Sequence, residues 1–129
     1  MQLFKKTHIG LLPTFGDSYG YSLLEAQANG CPVISTDLRA LSEINNNDAG
    51  WLIEVPKNEF RNGKLATIKE RQVFSEIIQN ELYRIIKEIC ENKRSIKIKG
   101  EKALERIKQH HNPLDKVEFL EKIYFDAIK

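Results

Sequence analysis

The chain has 129 residues, of which 41% are hydrophobic, 29% charged and 9% aromatic, with a formal net charge of +2. These globular proportions fit one domain with its own core and exclude a disordered or fibrous polymer. No apolar run approaches the roughly 20 residues that cross a bilayer.

The opening "MQLFKKTHIG" lacks the apolar stretch and small-residue cleavage site of a secretory signal. A cytoplasmic location is therefore expected, with the inner face of a membrane as the alternative. Cys31 and Cys90, the two cysteines, are far apart and without metal-ligand spacing, which reads as reduced structural thiols.

The first half of the chain alternates strand and helix signals. "HIGLLPT" is a short apolar run ended by proline, "PVIST" a second with three β-branched residues, and "GWLIEV" a third. Each reads as a buried strand of a mostly parallel sheet. Between the first two lies "YGYSLLEAQANG", a helix carrying Leu23, Leu24, Ala26 and Ala28 and stopped by Gly30. Between the second and third, "LRALSEINNN" predicts a shorter helix that dissolves into an Asn-rich turn. A β-α-β-α-β order of this kind folds into a parallel, Rossmann-like sheet.

The segment 57–72 reads as an insertion in which Asn62-Gly63 is compatible with either a hairpin or a solvated loop. Beyond it the chain is helical. Phe74, Ile77, Ile78, Leu82, Ile85, Ile86 and Ile89 recur at three- and four-residue steps, predicting a long amphipathic helix over about 72–92. A second runs from near Ser95 to His110 with Ala103, Leu104 and Ile107 on one face. Asn112 caps a third, Pro113 sits in its first turn, and Val117, Leu120, Tyr124 and Ala127 line its apolar side. The fold class expected is α/β: a partial Rossmann-like parallel sheet of about three strands with flanking helices (1–56), the 57–72 insertion, and a helical remainder of the same domain (73–129).

Charge is distributed unevenly. Residues 1–56 carry three Lys/Arg against six Asp/Glu, a net of −3, and residues 57–129 carry seventeen against twelve, a net of +5. The basic half alternates lysine and glutamate at helical spacing, as solvated helices do, without an aromatic-rich basic stripe or zinc spacing. Nucleic acid is not an expected partner. The adjacent His110-His111 read as surface residues near a helix end.

The chemistry concentrates in the loop from Pro13 to Gly20. It leaves the carboxyl end of the first strand, where open parallel sheets bind ligands, and it enters a helix whose first amides form an anion site. Gly20 is expected to remove a Cβ that would hold a phosphate away. Gly16 and Gly20 do not make a GxGxxG turn and no GK[ST] follows, which excludes dinucleotide and P-loop motifs. Asp17, ahead of the glycine turn, and Glu25, inside the helix, have seven residues between them. Carboxylates so placed suit paired hydroxyls of a sugar or ribose. The same pattern is also compatible with Asp17 favouring the helix N-terminus and Glu25 facing solvent.

The stretch "LPTFGDSYGYSLLEAQANGCPVISTD" resembles the nucleotide-sugar signature of the group 1, or family 4, glycosyltransferases, whose GT-B fold sets two Rossmann-like domains face to face. Leu12-Pro13-Thr14, Asp17, Ser18-Tyr19-Gly20, Leu24-Glu25-Ala26 and Gly30-Cys31-Pro32-Val33-Ile34 occupy the family's positions in order. "LSEI" and "AGWLIEV" follow suit, with Glu43 at the family's Pro-Glu acid and Gly50 opening the third strand. The resemblance implies that Asp17, as the catalytic-site acid, contacts the hydroxyls of the donor sugar and that Glu25 holds the ribose diol. It places the amides of Tyr19, Gly20 and Tyr21 at the diphosphate and Thr14 beside it or the nucleoside.

The donor implied is a nucleotide-diphosphate sugar, uridine diphosphate favoured over guanosine or adenosine diphosphate. It is transferred with retention to a glycan, lipid or protein acceptor, with no cofactor and no protein-bound metal. Relative to the family the chain begins at the helix before "HIGLLPT". The acceptor-binding domain and the family's basic Arg/Lys pair are then supplied elsewhere, and this chain alone is expected to be inactive. A sheet edge left open by the absent strands is expected to favour self-association. Asp17 is one methylene shorter than the family's usual glutamate, and Ser18 replaces its usual glycine. A non-catalytic nucleotide-binding module of the same fold, or a GT-B relative such as a nucleotide-sugar epimerase, remains the alternative.

Overall fold

A computed structural model describes residues 6–128 of the chain. The helix expected before "HIGLLPT" lies outside them. Three strands, β1 (Gly10–Leu12), β2 (Val33–Thr36) and β3 (Trp51–Ile53), form one sheet in the order β1-β2-β3. Both pairings are parallel: Leu11 stands opposite Ile34, and Ser35 opposite Leu52. The α/β architecture is the expected partial Rossmann-like sheet with a helical second half.

The strands differ in burial. All four residues of β2 are buried, and Trp51 and Ile53 of β3 are buried with them. β1 departs from the buried strand expected: it lies at the edge of the sheet, and Leu11 is 61% exposed. Its outer row of backbone groups has no neighbouring strand among the described residues.

Helix α1 (Tyr21–Gln27) packs on β1 and β2 through Leu23 and Ala26, and α2 (Leu41–Ile44) packs on β2 through Leu41 and Ile44. Past α1 the chain turns at Gly30, whose φ of 72° is left-handed, as expected of a glycine closing a helix. A buried polar clasp follows α2. Asn45 donates through Nδ2 to Val33 O (3.0 Å), Ser35 Oγ (2.9 Å) and Trp51 O (3.3 Å), and accepts from Gln27 Nε2 (3.2 Å). One amide thus ties α1, β2 and β3 together.

The long helix α3 (Ile68–Glu91) begins earlier than its apolar spacing predicts, because Thr67 and Glu70 form a capping box. Thr67 Oγ1 accepts from the Glu70 amide at 3.1 Å, and Glu70 Oε2 accepts from the Thr67 amide at 2.9 Å. Phe74, Ile78, Ile85 and Ile89 are buried, while Ile86 faces solvent. Helix α4 (Arg94–His110) lies against α1, where Gly100 permits contact with the Gly30 carbonyl that any Cβ would obstruct. Lys99 of α4 sits 5.0 Å from the centre of the Trp51 ring.

In α5 (Pro113–Ile128) the Leu114 amide donates to Asn112 Oδ1 at 3.2 Å, the expected cap. Its apolar side is not buried: Val117, Leu120 and Tyr124 are all exposed. Cys31 is buried and free, whereas Cys90 is free and exposed on α3.

Candidate functional site

Because the three strands are parallel, their carboxyl ends open on one side of the sheet, and the segments leaving them converge on one cleft of about 330 Å³. Phe15, Gly16, Asp17 and Ser18 come from the segment after β1, Leu38 and Arg39 from that after β2, and Asn62, Gly63 and Leu65 from that after β3. The Phe15 ring stacks on Phe74 of α3 at 5.1 Å, so the base of the cleft rests on the hydrophobic core.

The loop after β1 is held by its own side chains. Thr14 Oγ1 donates to Gly16 O at 2.7 Å and accepts from the Gly16 amide at 3.1 Å, while Thr14 O accepts from Thr36 Oγ1 at 2.8 Å. Asp17 Oδ1 accepts from the amides of Tyr19 (3.0 Å) and Gly20 (2.7 Å). The amides of Tyr19 and Gly20 are therefore engaged within the loop. Those of Tyr21 and Ser22, in the first turn of α1, have no intrahelical acceptor.

Gly20 is the N-cap of α1, with φ 82° and ψ 45°. A Cβ there would approach Leu41 Cδ2 to 2.5 Å. Glycine is thus needed for the left-handed turn and for packing on α2. The expected role of making room for a phosphate is replaced by this inward contact.

The sequence-derived residues fall into two places. Thr14, Asp17, Tyr19 and Gly20 share one hydrogen-bonded loop, and Asp17 alone of the candidates lines the cleft. Tyr19 and Tyr21 are exposed with ring centres 5.0 Å apart. Glu25, on the next turn of α1, is exposed, and among the described residues its carboxylate makes no ion pair or hydrogen bond.

Sequence reasoning missed a charged cluster on the same side. The 57–67 segment folds back as a closed loop: Lys57 bridges Gly63, and Asn58 Oδ1 accepts from the amides of Phe60 and Asn62, both at 3.0 Å. The loop is pinned from Asn58, ahead of the predicted Asn62-Gly63 turn. It delivers Lys57 to Asp37, at the end of β2, and places Arg61 3.6 Å from Asp37 and 3.3 Å from Glu43. Burial raises the Asp37 pKa, but hydrogen bonds from Lys57 and Ser42 and the charges of Lys57 and Arg61 outweigh it and hold the carboxyl below its ordinary value.

Arg39 and Arg61 both have left-handed backbones, with φ of 44° and 61°. The Arg39 amide donates to Arg61 O at 3.1 Å, and its Nε donates to Asn62 Oδ1. A left-handed arginine carries no signature in sequence, which is why this pair went unread.

A second cleft of about 290 Å³ is lined by Asp48, Lys102, Glu105, Arg106 and His110. Among the described residues no group of three or more His, Cys, Asp or Glu side chains is placed to hold a metal, and no helix is long and apolar enough to cross a membrane. His110 ends α4 and His111 caps it.

A three-stranded parallel sheet with flanking helices, a cleft at its carboxyl edge and an acid on the first loop defines a partial Rossmann-like α/β domain. The family model for glycosyl transferases group 1 matches residues 1–70. The chain belongs to that family, which supports a general role in glycosyl transfer. No curated protein matches the chain in sequence.

Proposed function

We propose that this chain binds the donor of a glycosyl transfer, a nucleotide-diphosphate sugar, over the carboxyl edge of the β1-β2-β3 sheet. Asp17 meets the hydroxyls of the sugar, Glu25 the ribose diol, and the first-turn amides of α1 the diphosphate, with Thr14 shaping the loop beside them. Family membership supports transfer in general. The observation that carries the donor assignment is the position of Asp17, on the wall of the cleft into which all three strand ends lead. Its Oδ1 is spent on two loop amides, so its second oxygen is the one directed to ligand hydroxyls.

The transfer proceeds with retention to a glycan, lipid or protein acceptor held by a second domain. The segments 1–56, 57–72 and 73–129 belong to one domain, in which the 57–67 loop flanks the cleft and α3 already begins at Ile68. Uridine diphosphate is the favoured carrier, the protein works in the cytoplasm in building polysaccharide or glycoconjugate, and the open edge of β1 pairs with another chain. Without the acceptor side the chain binds but does not turn over.

The test is a titration of UDP, GDP and ADP into the protein followed by backbone amide NMR. Shifts clustered at Thr14 to Glu25 for one nucleotide, weakened about ten- to a hundredfold by Glu25→Ala, are expected for a charged hydrogen bond to the ribose. Unchanged affinity in Glu25→Ala would remove the ribose assignment.

A further inference from the structure

Resting on that donor-site reading, we infer that Arg39 is a ligand of the donor's diphosphate, aimed by the 57–67 loop. Three observations converge on it. Arg39 is exposed and lines the same cleft as Asp17. Two neighbouring cations are already committed, Lys57 to Asp37 and Arg61 to Asp37 and Glu43, whereas among the described residues no carboxylate lies within ion-pair distance of Arg39. Its backbone is held in a left-handed conformation that glycine would adopt without penalty, so something other than local folding favours an arginine there.

The aim of the side chain comes from the covering loop. Asn62 Oδ1 accepts from Arg39 Nε, and Arg61 O accepts from the Arg39 amide at 3.1 Å. With Nε occupied, the terminal guanidinium nitrogens remain for the cleft, in the fork that suits a phosphate.

The pairing of Arg39 with Asp17 also narrows the ligand class. A simple anion would be repelled by Asp17, and a neutral sugar has no use for an unpaired guanidinium. A phosphorylated sugar satisfies both, its hydroxyls toward Asp17 and its phosphate toward Arg39. The two side chains therefore read different halves of the donor, and a nucleoside diphosphate alone suffices to report on Arg39.

The experiment compares wild type, Arg39→Gly, Arg39→Lys and Glu25→Ala. Each is titrated with the nucleoside diphosphate that binds best among UDP, GDP and ADP, and with the matching monophosphate. Urea unfolding is followed in parallel. Arg39→Gly is expected to unfold at the same or higher urea concentration, since its backbone strain is relieved. It should nonetheless lose about tenfold or more in diphosphate affinity, with a smaller loss for the monophosphate. Arg39→Lys should retain part of the diphosphate preference. A purely structural Arg39 would not separate stability from affinity in this way.

If Arg39→Gly binds the diphosphate as wild type does while Glu25→Ala is weakened, the Arg39 assignment falls and the donor site stands. If no nucleoside diphosphate shifts the wild-type amides at millimolar concentration, the donor reading falls and this inference with it.

Discussion

The carboxylate of Asp17 accepts the Gly20 amide at 2.7 Å, with the Tyr19 amide 3.0 Å from the same oxygen. The acid proposed to meet the donor sugar is thereby also the brace of the turn into α1. One oxygen serves structure. The short aspartate side chain closes the loop on itself, and the proposed ligand role falls to its second oxygen.

Asp17→Asn and Asp17→Ala should therefore separate the two roles. Asparagine keeps an acceptor for the two amides, and its urea midpoint should stay near that of wild type. Alanine should lose about 1–2 kcal/mol, because the amides of Tyr19 and Gly20 lose their acceptor. Both should weaken nucleotide-sugar binding in a calorimetric titration. Equal stability of the alanine variant and wild type would deny Asp17 its bracing role.

Gly20 admits no larger residue. Gly20→Ala forces a Cβ toward Leu41 in a left-handed backbone, and a loss of about 2 kcal/mol or more is expected in urea unfolding. Trimming the obstruction in Gly20→Ala with Leu41→Ala should not restore wild-type stability, because the φ penalty persists and Leu41 is itself fully buried.

The Asn45 clasp makes a sharper forecast. Asn45→Ala strips partners from Ser35 Oγ and Gln27 Nε2 and should cost about 3 kcal/mol. Asn45→Asp at neutral pH should cost more, since a carboxylate would face the oxygens of Val33, Ser35 and Trp51 that now accept from Nδ2. Mild acid should recover part of that loss by protonating the new group. Denaturant midpoints of the two variants across pH would show this crossover or deny it.

Asp37 gives the fold a dependence on acid. Its folded-state pKa lies below the ordinary 3.8, so the ionised form is favoured by folding and stabilises the protein above that value. The contribution fades as pH falls through the lowered folded value. Wild type should exceed Asp37→Asn in stability at about pH 6, and the gap should narrow progressively as pH falls below the ordinary carboxyl value. A gap that widened in acid would reverse the assigned direction.

Sequence alone determined much of this protein. Three apolar runs bounded by Pro and Gly announced three parallel strands, and three- and four-residue spacing announced α3 and α4, because side-chain periodicity is set by local backbone geometry. The order of Leu12-Pro13-Thr14, Asp17, Gly20 and Glu25 pointed to the family, since a loop-to-helix turn keeps its residues close in sequence as well as in space. The start of α3 was also written locally, in the Thr67 and Glu70 capping box, although the apolar spacing alone placed it later.

Tertiary structure decided what depends on residues far apart in the chain. The return of the 57–67 loop to Asp37, the left-handed Arg39 and Arg61, and the reach of Asn45 to Val33 and Trp51 are contacts that no local propensity encodes. The edge position of β1 and the exposure of α5 follow the same rule. An amphipathic pattern states which face gains from burial, but its cover is a separate surface whose identity the pattern does not contain.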